Sequence, residues 1–215
     1  MLIMLLAVPA VLASLSRRRP VFHSEADFQF ALAWEIRSMV PHAELRLEYP
    51  PPHDPATAVD ILVRVNKDVY PIELKYKTKS FSAKINGEVF HLKKHSAKDV
   101  GCYDFWKDVR RVEKLSAVLD EFSEGFVIML TNDPTYWRPP ANSDAGYADF
   151  SIHTGAVKTG EMTWAEHLSA GTTRGREQAL VLENTYEIFW HNYSDLQAPN
   201  GLFKYVLLTV EKPNC

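Results

Sequence analysis

Two strand-like runs, residues 57–65 and 68–77, are separated only by Asn66-Lys67, and this pair constrains the chain more than any other feature. A two-residue loop fixes hairpin register, and a slip by one residue would turn every side chain to the opposite face. With Val65 against Asp68, the register sets Val63 against Tyr70, Ile61 against Ile72 and Val59 against Leu74. Each pair is apolar on apolar, as a buried sheet face requires. The same register places Asp60 directly opposite Glu73 on the other face, with Ala58 opposite Lys75 beside them.

Directly opposed side chains carry Cβ atoms about 4.5–5.5 Å apart. Two ionised carboxylates at that spacing repel, and a divalent cation removes the repulsion. Oxygen-rich sites suit Mg²⁺ or Mn²⁺. Lys75 follows Glu73 by two residues and so shares its face, where it can neutralise developing charge or orient an attacking water. A solvated hairpin face also carries acids and lysines, so the flanking elements decide between the two readings.

Those elements are legible. Ser24 followed three residues later by Asp27 has the form of a capping box and opens a helix to about Met39, ended by Pro41. Phe28, Phe30, Ala31, Leu32, Trp34 and Ile36 predict that much of this helix is buried. Residues 44–49 alternate as a strand, stopped by Pro50-Pro51-Pro52. Asn86-Gly87 marks a second hairpin. Residues 102–122 fit a helix with Phe105, Val109, Val112, Leu119 and Phe122 on one stripe. The run FVIML after Gly125 reads as a buried strand, residues 132–178 show no regular pattern, and 185–193 and 202–211 read as two final strands.

On these residues the chain resembles the PD-(D/E)XK, or restriction-endonuclease-like, superfamily. The motif is Asp60, twelve intervening residues, then Glu73-Leu74-Lys75, with Val59 standing where the family name places proline. The helix, three strands, helix, strand order over residues 24–131 is similar to that family's common core, about the first 60% of the chain. The resemblance implies an α/β fold around a mixed central sheet, with an extra N-terminal helix and a C-terminal strand pair. It implies that Asp60, Glu73 and the Leu74 carbonyl bind Mg²⁺ or Mn²⁺ while Lys75 assists the water. Glu25 matches the glutamate that many members place early in the first core helix, though an acid there also stabilises the helix dipole. Glu35 is a weaker substitute, and Asp54 is an alternative first acid lying outside the strand. Asp108 and Arg111, on one face of the second helix with Asp104, are candidates to steady the lysine or a phosphate.

Net charge is only −3, so the distribution of charge carries the argument. Residues 73–98 hold seven lysines against two acids, and Lys77, Lys79, Lys84, Lys93 and Lys94 are the candidate contacts to a phosphate backbone. Tyr136, Trp137 and Trp164 are candidates for stacking on bases or for core anchors. His91 and His95 have helical ligand spacing and, with Cys102, form a remote zinc alternative. The chain contains no phosphate-cradling glycine loop, GxSxG elbow or CxxC pair. Two cysteines, Cys102 and Cys215, point to a reducing cytoplasm. Residues 1–15 are nearly all apolar and precede Arg17-Arg18-Arg19, too short for a membrane span and with charges on the wrong side for a signal peptide. They are expected to form a helix packed on the domain or at a dimer or partner contact.

The expectation is one nuclease-like domain over 1–215, with an apolar helix (1–20), a catalytic core (21–131) and an extension (132–215). Its expected activity is metal-dependent hydrolysis of DNA, with RNA left open. The alternative is a silent nuclease-fold module that binds nucleic acid or a partner protein.

Overall fold

The hairpin at Asn66-Lys67 lies inside a six-stranded sheet. The structure is a computed structural model that describes residues 6–51, 54–55, 57–140, 142 and 145–212. In chain order its elements are α1 (Val8–Arg18), α2 (Glu25–Met39), β1 (Glu44–Tyr49), β2 (Val59–Val65), β3 (Asp68–Lys77), β4 (Phe81–Ile85), β5 (Glu88–Leu92) and α3 (Lys98–Val118). β6 (Glu124–Thr131), α4 (Pro134–Trp137), a 3-10 turn (Ala148–Phe150), β7 (Val157–Met162), α5 (Ala170–Thr173), β8 (Leu180–Glu187), β9 (Trp190–Asp195) and β10 (Leu202–Glu211) follow. The main sheet runs β1-β2-β3-β6-β10-β9, mixed because β3 and β6 pair parallel and the other neighbours antiparallel.

Alternation along the strands divides the core in two. Phe126, Ile128 and Leu130 of β6 join the cluster under α1 and α2, with Ile61, Val63, Ile72 and Leu74. Val127 and Met129 face the other way, into a cluster with α3, Val206 and Leu208. A strand buried on both faces needs a continuous apolar run, and that is what FVIML supplies. The expected hairpin register holds for Val65–Asp68, Val63–Tyr70 and Ile61–Ile72, with Asn66 in the left-handed conformation (φ 57°) that asparagine tolerates.

Several expectations are corrected. Ser24 Oγ accepts from the Asp27 N–H, but the Asp27 carboxylate turns to the His23 N–H and Arg19, so the box is not reciprocal. Phe30 and Trp34 of α2 are 61% and 65% exposed, because only the Phe28, Ala31, Leu32 and Ile36 stripe meets the sheet. α1 buries Val8, Val11, Leu12 and Leu15 in the domain's own core, the first of the two placements expected of it. Residues 1–5 of the expected N-terminal helix lie outside the described residues. α3 starts four residues before the expected helix and stops at Val118, where Phe122 forms a parallel bridge to Val69 instead. The run 185–193 spans two strands: β8 belongs to a separate sheet with β7, and β9 to the main sheet. The region without sequence pattern therefore contains a strand, α4, α5 and a 3-10 turn. Among the described residues, no helix is long and apolar enough to cross a membrane.

The second layer is tied to α3 by Glu113, whose side chain is buried. Its Oε1 accepts from the backbone N–H groups of Glu183 and Asn184 at 3.0 Å and from the Tyr186 hydroxyl at 3.0 Å, while Arg110 pairs with Oε2. Glu113→Ala strands two amides and a hydroxyl at once, while Arg110 keeps Glu183 as its partner. It should lower unfolding free energy by about 3–5 kcal/mol in urea titration, against about 1 kcal/mol for Tyr186→Phe. A loss under about 1 kcal/mol for the alanine variant would show that this carboxylate does not tie the layers together.

Candidate active site

The ladder between β2 and β3 ends at Ile61–Ile72, one rung short of the expected Asp60–Glu73 pair. The expected pairings of Val59 with Leu74 and Ala58 with Lys75 are likewise absent from the ladder. The reason is visible at Asp60, whose Oδ2 accepts the Leu74 N–H at 2.6 Å, so a side chain occupies the place of the next backbone partner. Two residues on, Glu25 Oε2 accepts the Tyr76 N–H at 2.6 Å. Alternate amides of a strand point to the same edge, and buried amides require acceptors. Two carboxylates, from β2 and from the first turn of α2, thus cap the edge that β2 abandons.

Glu73 does not meet Asp60 across the hairpin. It is 1% exposed, and its Oε1 accepts from Arg111 Nη1 at 2.8 Å. Arg111 also donates to the Ala58 carbonyl at 3.3 Å and lies 3.4 Å from Asp108 Oδ1. Lys75 Nζ donates to the Leu74 carbonyl at 3.2 Å and stands 2.5 Å from Asp108 Oδ2, a charge contact too poorly aligned to count as a hydrogen bond. α3 therefore supplies a counter-charge to each motif residue of β3: Asp108 to Lys75 and Arg111 to Glu73. The expected polar face divides at Asp104, which is held by Arg176 instead.

The electrostatics follow from packing four carboxylates, Glu25, Asp60, Glu73 and Asp108, around two cations, a formal excess of two negative charges. Burial pushes the Asp60 carboxyl up to about 6, with the Leu74 amide and Lys75 opposing and Asp108 and Glu25 adding to it. Burial and the Asp108 charge raise Glu73 well above the usual carboxylate range despite Arg111. Asp108 is also raised by burial, against the pull of Lys75 and Arg111. For Lys75, burial favours the neutral amine, but the Asp108 carboxylate outweighs it and holds the ammonium charged.

Among the described residues, no group of three His, Cys, Asp or Glu side chains is arranged to hold a metal ion. Mg²⁺ requires less, because it is commonly held by one or two carboxylates and keeps several waters. Asp60, Glu25 and the Leu74 carbonyl fit that demand by chemistry, and the excess negative charge is what a divalent cation would neutralise. Glu73, engaged by Arg111, fits it less well.

The other candidates fall into three groups. Lys77 and Lys93 line a pocket of about 370 Å³ with Glu25, His23, His91 and His95. Lys79 and Lys94 line a separate cavity, while Lys84 is exposed on β4 and lines neither. Glu35 pairs with Arg18 beside α1 and Asp54 accepts from Thr57, so neither substitutes in the site. His91 and His95 lie on β5 and the loop after it, not on a helix. Cys102 is buried in the second core cluster, where burial pushes its thiol up to about 12, so the zinc alternative has no third ligand. Tyr136 is buried beside Gly101 and Trp164 stacks on Tyr103, which makes both core anchors. Trp137 packs on Trp190.

Gln29 is the site residue that sequence reasoning missed. Its Nε2 donates to the Asp60 carbonyl and to Glu48 Oε1, both at 2.7 Å, and so fixes the backbone that aims Asp60. The only signal in the sequence is its position one helical turn after Glu25. Comparison with protein-family models, curated protein sequences and solved structures returned no match for this chain.

A carboxyl with a higher pKa folded than unfolded binds more protons in the folded state between 3.8 and about 6, so its contribution to stability falls as pH rises through that window. Asp60→Asn keeps an acceptor for Leu74 and removes the charge. In EDTA it should be more stable than wild type by about 1–3 kcal/mol at pH 7.5, and the gain should shrink towards zero by pH 4. A pH-independent difference would exclude a buried, unbalanced Asp60 charge.

Proposed function

We propose that this chain is a metal-dependent nuclease of the restriction-endonuclease-like class that hydrolyses phosphodiester bonds of DNA. The observation that carries this reading is the gap where β2 leaves β3. The Leu74 and Tyr76 amides draw Asp60 and Glu25 into it, and the Leu74 carbonyl and Lys75 ammonium stand beside them. The order α2, β1, β2, β3, α3, β6, interrupted only by the β4–β5 hairpin before α3, supports the reading, because it follows the core that the motif implies. Asp60, the Leu74 carbonyl and Glu25 would hold Mg²⁺ or Mn²⁺, with Glu73 at the margin. Such an ion supplies charge neutralisation at the phosphate under attack. Lys75, kept protonated by Asp108, offers positive charge to the oxygens that gain negative charge as water adds and the P–O bond breaks; it is no base. Asp108 and Arg111 are positioning residues that hold Lys75 and Glu73. Lys77 and Lys93, lining the pocket beside Glu25, suit neighbouring phosphates, and such contacts do not exclude RNA.

One observation favours a second reading. Arg111 already neutralises Glu73, an arrangement that suits a catalytically silent module binding nucleic acid or a partner protein.

Cleavage of plasmid, single-stranded DNA and RNA with Mn²⁺ or Mg²⁺ separates the two. Wild type should cleave, and Lys75→Ala and Glu73→Ala should be slower by about 100-fold or more. Mn²⁺ should raise the Tm of wild type and not that of Asp60→Asn. Equal rates in wild type and both variants would place the chemistry elsewhere. Binding without cleavage in wild type would establish the silent module.

A further inference from the structure

We infer that the chain carries a second, non-catalytic phosphate-binding cleft, formed by Lys79, Lys94, Lys98 and Arg138, that holds a flanking phosphate of the nucleic-acid substrate. The inference rests on the nuclease reading and assigns part of its substrate contact. The cleft is a cavity of about 620 Å³, and its basic residues come from three separate stretches: the link between β3 and β4, the segment running from β5 into the first residue of α3, and the C-terminal end of α4.

Each stretch is anchored through its backbone, which leaves the charged ends unspent. Lys79 N–H donates to Asn132 Oδ1 at 2.7 Å. The loop before α3 is pinned by Thr78, whose Oγ1 donates to the Lys93 carbonyl and whose carbonyl accepts the His95 N–H, both at 2.7 Å. Arg138 N–H donates to the Pro134 carbonyl at 3.1 Å. None of the four cations forms an ion pair with a carboxylate among the described residues, whereas Lys75, Arg111 and Arg176 all do. Lys98 is held by the Tyr147 hydroxyl at 2.8 Å, a neutral partner that leaves its charge in place. The only acid in the described lining, Asp133, is turned to the Thr135 N–H at 3.0 Å.

Four like charges around one cavity repel unless an anion joins them, and the phosphate backbone is the anion a nuclease meets. The cleft is distinct from the catalytic gap and neighbours the pocket that flanks it. His95 lines both this cavity and the pocket that contains Glu25 and Lys77. A strand whose scissile phosphate lies by Lys75 can therefore pass His95 and place a further phosphate among these four cations. Tyr147 and the adjoining prolines at positions 134, 139 and 140 offer apolar wall to the sugar and base.

Binding measured in EDTA keeps this inference separate from catalysis. Fluorescence anisotropy would follow a labelled single-stranded DNA oligonucleotide, unphosphorylated or carrying a 5′- or 3′-terminal phosphate, over a salt series. Lys94→Glu and Arg138→Glu should each weaken binding about tenfold at low salt and flatten the log Kd against log salt slope by about one unit. Lys84→Glu, on an exposed lysine outside the cleft, should change Kd less than about twofold. Unchanged Tm in each variant excludes misfolding as the cause. Preference for a terminal phosphate would assign the cleft to a strand end, and indifference would assign it to an internal phosphodiester. No binding by wild type, or an equal loss in Lys84→Glu, overturns the cleft. Intact cleavage with unaltered binding in Lys94→Glu and Arg138→Glu overturns it while leaving the nuclease reading in place.

Discussion

The site depends on one backbone problem: β2 parts from β3 while β3 is still buried. From Ile72 onward, β3 has amides on that edge without a strand to receive them. A buried amide without an acceptor costs free energy comparable to a lost hydrogen bond. Asp60 and Glu25 answer the need at Leu74 and Tyr76, and in doing so they converge on one edge. The concentration of negative charge is therefore a by-product of satisfying backbone groups. Carboxylates accept amide hydrogen bonds strongly, and each acid commits one oxygen to its amide.

The opposite face is organised by complementarity with α3. Asp108 and Arg111 are three residues apart, near one helical turn, and reach Lys75 and Glu73, two residues apart on β3. Helix and strand periodicities rarely stay in step, and here they coincide for a single turn. Removing one member would leave its partner buried and charged, which is costlier than the pair's own worth. Gly101 allows Tyr136 to approach α3 closely, since a Cβ there would lie 2.3 Å from the tyrosine hydroxyl.

Much of the core was legible because it obeys simple periods. Asn66-Lys67 with the apolar pairs Ile61–Ile72 and Val63–Tyr70 marked the β2–β3 register, and FVIML identified a strand buried on both faces. The divergence at Asp60 was not legible, since nothing in Val59-Asp60-Ile61 marks where a ladder stops. Gln29 was missed because its partner is a backbone carbonyl, which no residue type announces. Residues 132–178 concealed β7 because its pattern, VKTGEM, is polar apart from its ends. It pairs only with β8, so one face suffices for burial. Phe30 and Trp34 misled in the opposite direction: apolar identity did not entail burial.

The parallel pairing of β3 with β6 bears on the order in which the protein assembles. Residues 78–123 separate the two strands, and they include the β4–β5 hairpin and α3. Closing so long a crossover costs chain entropy before any contact rewards it. Until β6 is in place, β3 lacks its second neighbour and α3 lacks much of the sheet it lies on, so the acids stay hydrated and their mutual repulsion is slight. The repulsion arises only as the sheet closes and water leaves. A nascent chain therefore meets its least favourable electrostatics last, when most of the apolar surface that offsets them is already buried.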